Sequence, residues 1–151
     1  MNAARERGFV YVLMSIGMST PVFKIGKTNN LLKRTKLLGI QMPFETAVAC
    51  VIYSNKVYET EASLHRRFHG QRMNGEWFLL SNDDLQELKS LSIASSVNCP
   101  EEFFKQASDL RATGSLVDQG TFCADFHHDE ELQVDWELVK VSEVDYALGN
   151  F

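Results

Sequence analysis

The stretch VYETEASLHRRF, residues 57–68, has helical spacing and carries a carboxylate where a core residue belongs. At about 100° per residue from Val57, Leu64 falls near ~340°, Phe68 near ~20° and Glu61 near ~40°. Glu59, Ser63, Arg66 and Arg67 spread over the opposite side, from roughly 180° to 280°. Glu61 therefore lies inside the apolar stripe. A carboxylate there costs several kcal/mol unless it is paired, protonated or bound to a metal. Glu59 has no such requirement. His65 flanks the stripe beside Glu61, either as a proton relay or phosphate contact, or as a hydrogen-bonded histidine at the core margin.

Upstream, GFVYVLMS and VFKIG are rich in β-branched and aromatic residues and read as a hairpin, with IGMSTP as its connector. The polar KTNN that follows Gly26 offers Asn29 or Asn30 as a helix cap. LLKRTKLL then has helical spacing, and Gly39 is placed to end it. On this helix Arg34 leans toward the side of Leu31 and Leu38, whereas Lys33 and Lys36 point away. Arg34 is read either as an arginine whose stem covers core, or as a partner of Glu61, or with Glu61 as half of one polar site at the sheet edge. Tyr11 shares a strand face with Phe9 and Leu13, and Lys24 interrupts VFKIG as either an exposed-face lysine or one aimed at a phosphate.

TAVACVIY reads as a third, largely buried strand. Residues 57–69 form the second helix, ending near Gly70. EWFLL is a short strand or extended segment in which Trp77 and Phe78 anchor the fold. SNDDLQELKSL is a helix capped by Ser81 or Asn82, and PEEFFKQASDLRA is a further helix with Pro100 near its start. LQVDWELVKV reads as one strand or two. These elements define an α/β (α+β) chain: a small, mainly antiparallel three-stranded sheet flanked by helices over residues 8–92, with an acidic extension over residues 93–151.

Net charge is −5 across 151 residues, but it is unevenly placed. Residues 1–75 hold 11 Lys and Arg against 4 Asp and Glu, whereas residues 76–151 hold 4 against 16. The basic half suits a polyanion and the acidic half repels one. The acidic tail is read as a solvated extension, a segment that binds a protein partner, or an intramolecular mimic of DNA. No apolar run approaches the roughly 20 residues needed to span a bilayer, and nothing at the N-terminus resembles a signal peptide. A cytoplasmic protein with no membrane contact is expected. Cys50, Cys99 and Cys123 are expected as reduced thiols. A zinc site of Cys99, Cys123, His127 and His128 can be drawn but lacks the close paired spacing of structural zinc motifs.

Phe9-Val10-Tyr11, Lys24-Ile25-Gly26, Arg34 ten residues after the start of the second motif, and Glu61 in EASLH resemble, in this order, the GIY-YIG nuclease superfamily. KIGKT with NNLLKR, ExxLHxxF and GEWFLL is closer still to the phage and fungal branch typified by a bacteriophage T5 open reading frame. The first glycine of the superfamily pattern is Phe9 here and its second-motif tyrosine is Lys24. Its carboxy-proximal asparagine has no sure counterpart, Asn74 being a poor one.

The resemblance implies an endonuclease that hydrolyses DNA with one divalent metal, Mg²⁺ or Mn²⁺, held by Glu61. It implies Arg34 gripping phosphate oxygens, and Tyr11 as general base or orienter of the attacking water. Lys24 would be the cation that brings Tyr11 closer to use, or the base itself. Lys27, Lys33, Lys36, Arg66, Arg67 and Arg72 would track phosphates. The rival reading is a catalytically silent nucleic-acid-binding or interaction module on the same fold, and a third is a phage, toxin or defence-related regulator.

Overall fold

A computed structural model describes residues 6–114. The elements are β1 (Gly8–Ser15), β2 (Phe23–Thr28), α1 (Leu31–Gln41), β3 (Thr46–Ser54), α2 (Val57–Arg67), β4 (Arg72–Asn74), β5 (Trp77–Phe78), α3 (Asn82–Ser96) and α4 (Glu101–Ala112). The strands form one sheet in the order β3-β1-β2-β5-β4, antiparallel throughout. The expected three-stranded sheet is thus corrected to five strands. The two additional strands are the short β4–β5 hairpin, laid against β2 at Phe23 and Lys24.

Alternation along β1 sends side chains to two separate cores. Phe9, Tyr11 and Leu13 point to one face, where Leu31 and Leu38 of α1 and Phe103, Ala107 and Leu110 of α4 cover them. Val10 and Val12 point to the other, with Ile25 of β2 and Ile52 of β3, under Val57, Leu64, Leu88 and Leu91 of α2 and α3. Phe9 is held edge-on by Tyr53 and Phe103, at 5.9 and 5.8 Å between ring centres. Each fully buried large apolar side chain contributes about 1.5–3 kcal/mol, so β1, buried on both faces, is the structural spine.

Local signals set most of the boundaries. Asn30 caps α1, its side chain accepting from the Lys33 amide at 3.2 Å. Ser81 and Asp84 form a reciprocal capping box at the start of α3. Two boundaries differ from expectation. Gly39 does not end α1, because the Met42 amide still bonds the Leu38 carbonyl at 2.9 Å and the helix runs on to Gln41. Strand β2 runs past Gly26 to Thr28, since Lys27 pairs with Val10 and Thr28 with Phe9. Helix α2 stops at Arg67, and a 3₁₀ turn, His69–Gln71, leads into β4. Residues 115–151 lie outside the described residues. The expectations for LQVDWELVKV, for the acidic tail, and for Cys123, His127 and His128 fall there.

Gly26 is where the fold and the site meet. It lies directly opposite Tyr11, and a Cβ on it would overlap the Tyr11 hydroxyl and ring. The absent side chain is what lets the phenol lie across β2. At Gly39, by contrast, a Cβ would meet nothing within 4 Å. Gly26→Ala is therefore expected to destabilise the protein by about 1–3 kcal/mol through overpacking. Gly39→Ala, in a helix interior, is expected to stabilise it by about 0.5–1 kcal/mol. Urea denaturation midpoints of the two variants, moving in opposite directions, check both.

Candidate active site

The β4–β5 hairpin pairs with only the first two residues of β2, and the last contact is the Ile25 amide to the Glu76 carbonyl at 3.0 Å. Beyond that point this side of β2 is an open edge among the described residues. Side chains from both faces of the sheet converge on it. From the α1 face comes Tyr11, lying over Gly26, with Lys24 on the same face in the paired part of β2 just before it; from the α2 face come Lys27, Glu61 and His65.

Glu61 is buried, with 8% exposure, on the inward side of α2, as its helical position requires. Its Oε1 accepts from Lys27 Nζ at 2.9 Å. Its Oε2 is buried and has no hydrogen-bond partner. An anionic oxygen removed from water and left without a donor is costly, and a cation repays that cost. The residues present thus fit a divalent ion. Among the described residues no group of three or more His, Cys, Asp or Glu could hold a metal. The donor set is one carboxylate, which suits a hard cation that keeps waters and takes phosphate oxygens as its other ligands.

His65, one turn beyond Glu61, places Nε2 2.8 Å from the Ile25 carbonyl and its ring edge-on to Phe78. A carbonyl only accepts, so Nε2 carries the proton and the ring is fixed to the β2 edge. Lys24 donates to Glu76 Oε1 at 2.6 Å. Arg34 is exposed and lines a cleft of about 200 Å³ with Arg7, Lys27, Thr28, Asn29, Val57 and Tyr58. The pairing with Glu61 offered for Arg34 is not found, because the partner of Glu61 is Lys27. Residue 34 lies three positions after Leu31 and four before Leu38, the buried residues of α1, yet its side chain is exposed and its charge still acts on Tyr11.

Tyr11 is 2% exposed, and burial pushes its phenol above the ordinary value of 10.0. The nearby Glu76 carboxylate reinforces this, Arg34 opposes it, and Glu61 adds a further upward push. Sequence reasoning looked to Lys24 as the cation that would lower it. The structure instead makes Arg34 the opposing cation, because Lys24 is engaged by Glu76. Tyr11 here is a neutral phenol that can donate or accept a hydrogen bond.

The remaining basic residues do not gather at this edge. Lys33 and Lys36 are exposed on α1 and line a separate cleft of about 700 Å³, floored by Leu13 and Val48 and closed by Leu110 of α4. Arg66 donates to Ser63 Oγ at 3.2 Å. Arg67 pairs with Glu87 of α3 at 3.2 Å, and Arg72 donates to the Gly75 carbonyl at 2.8 Å. Glu76 is the site residue that sequence reading missed. Its signal was its place immediately before a strand that pairs with Lys24, visible only once that register is known. Cys50 and Cys99 are buried thiols, and burial pushes Cys99 up to about 12, far from a metal-ready thiolate.

A small mixed α/β protein with an antiparallel sheet and an acid–base cluster at one open strand edge is the class that fold and site define. The T5orf172 domain family matches residues 8–93, more than half of the chain, and the protein belongs to that family, within the GIY-YIG-like nuclease-related group. No curated protein and no solved structure matches it. No helix among the described residues is long and apolar enough to cross a membrane.

The raised Tyr11 pKa has a consequence for stability. The folded state holds that proton more tightly than the unfolded chain does, so its contribution is complete below the unfolded value near 10.0 and is lost as pH rises above it. Between pH 10 and 11 this one group is expected to remove up to about 1.4 kcal/mol per pH unit. Tyr11→Phe should flatten the fall by up to that slope, as read from urea unfolding at each pH.

Proposed function

We propose that the protein is a metal-dependent endonuclease that hydrolyses DNA phosphodiester bonds at the open β2 edge by a single-metal, GIY-YIG-type mechanism. The observation that carries this reading is Glu61: a buried carboxylate with one oxygen paired to Lys27 and the other lacking any donor. The charges of both Glu61 and Arg34 act on Tyr11, which supports the same reading, as does family membership.

In this account Glu61 Oε2 would hold Mg²⁺ or Mn²⁺. When bound, the ion supplies charge stabilisation for the phosphoryl group and the leaving oxygen. Lys27 keeps Glu61 Oε1 occupied, which leaves Oε2 as the carboxylate's ligand atom. Arg34, exposed at the mouth of the cleft, presents a planar fork to the non-bridging oxygens, and such positioned charge is the main requirement of phosphoryl transfer. Tyr11 orients the attacking water through its hydroxyl. Lys24, fixed by Glu76 on the same sheet face, adds a cation on the nucleophile side. His65 acts by position, pinning the Ile25 carbonyl so that Gly26 and Lys27 keep their places.

A second reading, a catalytically silent DNA-binding module on the same fold, is favoured by the burial of Tyr11, which holds it in the phenol form least suited to take up a proton. Cleavage of supercoiled, linear and branched DNA in Mg²⁺ or Mn²⁺ separates the two. The expected outcome is cleavage that chelator abolishes and that falls by roughly 10²–10³-fold in Glu61→Ala and in Arg34→Ala. Cleavage that survives both substitutions contradicts the site, and salt-dependent binding without cleavage on every substrate establishes the silent module.

A further inference from the structure

The cleft that Lys27 and Arg34 line also holds Tyr58 and Arg7, which the chemistry above does not use. Tyr58, at the second position of α2, is 57% exposed although it is a large aromatic residue. The Lys27 ammonium lies 5.0 Å from its ring centre. A ring held by a cation on one face while more than half of the residue is exposed is the form of a stacking platform. Tyr58 shares this cleft, of about 200 Å³, with three cations, Arg7, Lys27 and Arg34. Lys27 also carries the ion pair to Glu61, so the cleft begins one side chain away from the proposed metal ligand.

Arg7 is steadied in a similar way. Its guanidinium lies 5.8 Å from the Phe103 ring centre, and its carboxylate partner is Glu102, at 3.4 Å, whose side chain is 66% exposed. An exposed pair of that kind contributes little and gives way readily to a competing anion. The cleft thus combines an exposed aromatic ring with three cations, the chemistry of one nucleotide: a base to stack and phosphates to neutralise.

We propose that this cleft binds the nucleotide adjacent to the scissile phosphate in an unpaired state, with its base stacked on Tyr58 and its outer phosphate held by Arg7. This rests on the DNA-cleaving reading and adds a substrate class to it: strands with an unpaired or extruded nucleotide beside the cut. Tyr58 and Arg7 are binding residues here and take no part in the chemical step.

Fluorescence anisotropy of the full-length chain tests this, with labelled oligothymidylate of about 12 nucleotides and a fully abasic strand of the same length, in Ca²⁺. Tyr58→Ala is expected to weaken oligothymidylate binding by roughly 5- to 150-fold, with Tyr58→Phe and Tyr58→Trp staying within about 3-fold of the parent. On the abasic strand Tyr58→Ala should change nothing. Arg7→Ala should reduce the slope of log affinity against log salt by about one. Thermal melts confirm that each variant is folded, as the exposure of Tyr58 predicts. Unchanged oligothymidylate binding in Tyr58→Ala, or an equal loss on the abasic strand, overturns this proposal alone. A parent chain that binds neither strand nor duplex DNA overturns the nuclease reading with it.

Discussion

The Lys27–Glu61 contact, 2.9 Å between Nζ and Oε1, is the interaction on which the site depends. It joins the far end of β2 to the inward side of α2 and makes a buried carboxylate tolerable there. The tolerance is incomplete, because Lys27 satisfies one oxygen and the other remains without a donor. A structure that needed only stability would have an apolar residue at position 61, since a buried ion pair seldom outdoes good packing. That half-satisfied anion in the core is the observation on which the proposed metal ligand rests.

That contact requires β2 to be an open edge at Lys27 and yet part of the sheet at Lys24. The short β4–β5 hairpin meets both conditions. It covers Phe23 and Lys24 and then turns away at Glu76, whose carbonyl makes the last ladder bond and whose side chain holds Lys24. Gly26 follows immediately, and its missing side chain admits Tyr11 from the other core. In three consecutive residues, Ile25 to Lys27, the strand passes from ladder, to aromatic crossing, to ion pair. Groups that belong to opposite faces of the sheet become neighbours there.

How much of this was legible in the sequence follows from which forces act locally. Glu61 was legible because helical periodicity alone sets its direction, and the α2 boundaries move it little. The hairpin of β1 and β2, the caps at Asn30 and Ser81 and the helix after Pro100 were legible for the same reason. Lys27 was read as part of a polar loop and assigned to phosphate tracking, because nothing local shows that β1 continues pairing through Phe9 and Val10. Glu76 and β4 were hidden, and EWFLL was left as a short strand or extended segment outside the expected sheet, because segments of three and two residues are too short to show a period of two. Periodicity placed Arg34 on the side of Leu31 and Leu38, but its exposure was not legible, because only those two residues of an apolar helix are buried. The resemblance to the nuclease family singled out Tyr11, Lys24, Arg34 and Glu61 without that geometry, since matched motifs report position in the fold and not the contacts between them.

The central claim is that the unsatisfied oxygen of Glu61 is a metal ligand at a DNA-cleaving edge. The most direct measurement is the anomalous scattering of Mn²⁺ in crystals of the full-length protein bound to DNA with a non-hydrolysable phosphorothioate at the cut. The account predicts an anomalous peak about 2.0–2.2 Å from Glu61 Oε2, with phosphate oxygens and waters completing the shell and Arg34 against the same phosphate. A peak held elsewhere on the chain, with Glu61 Oε2 making no contact to it, would contradict the account.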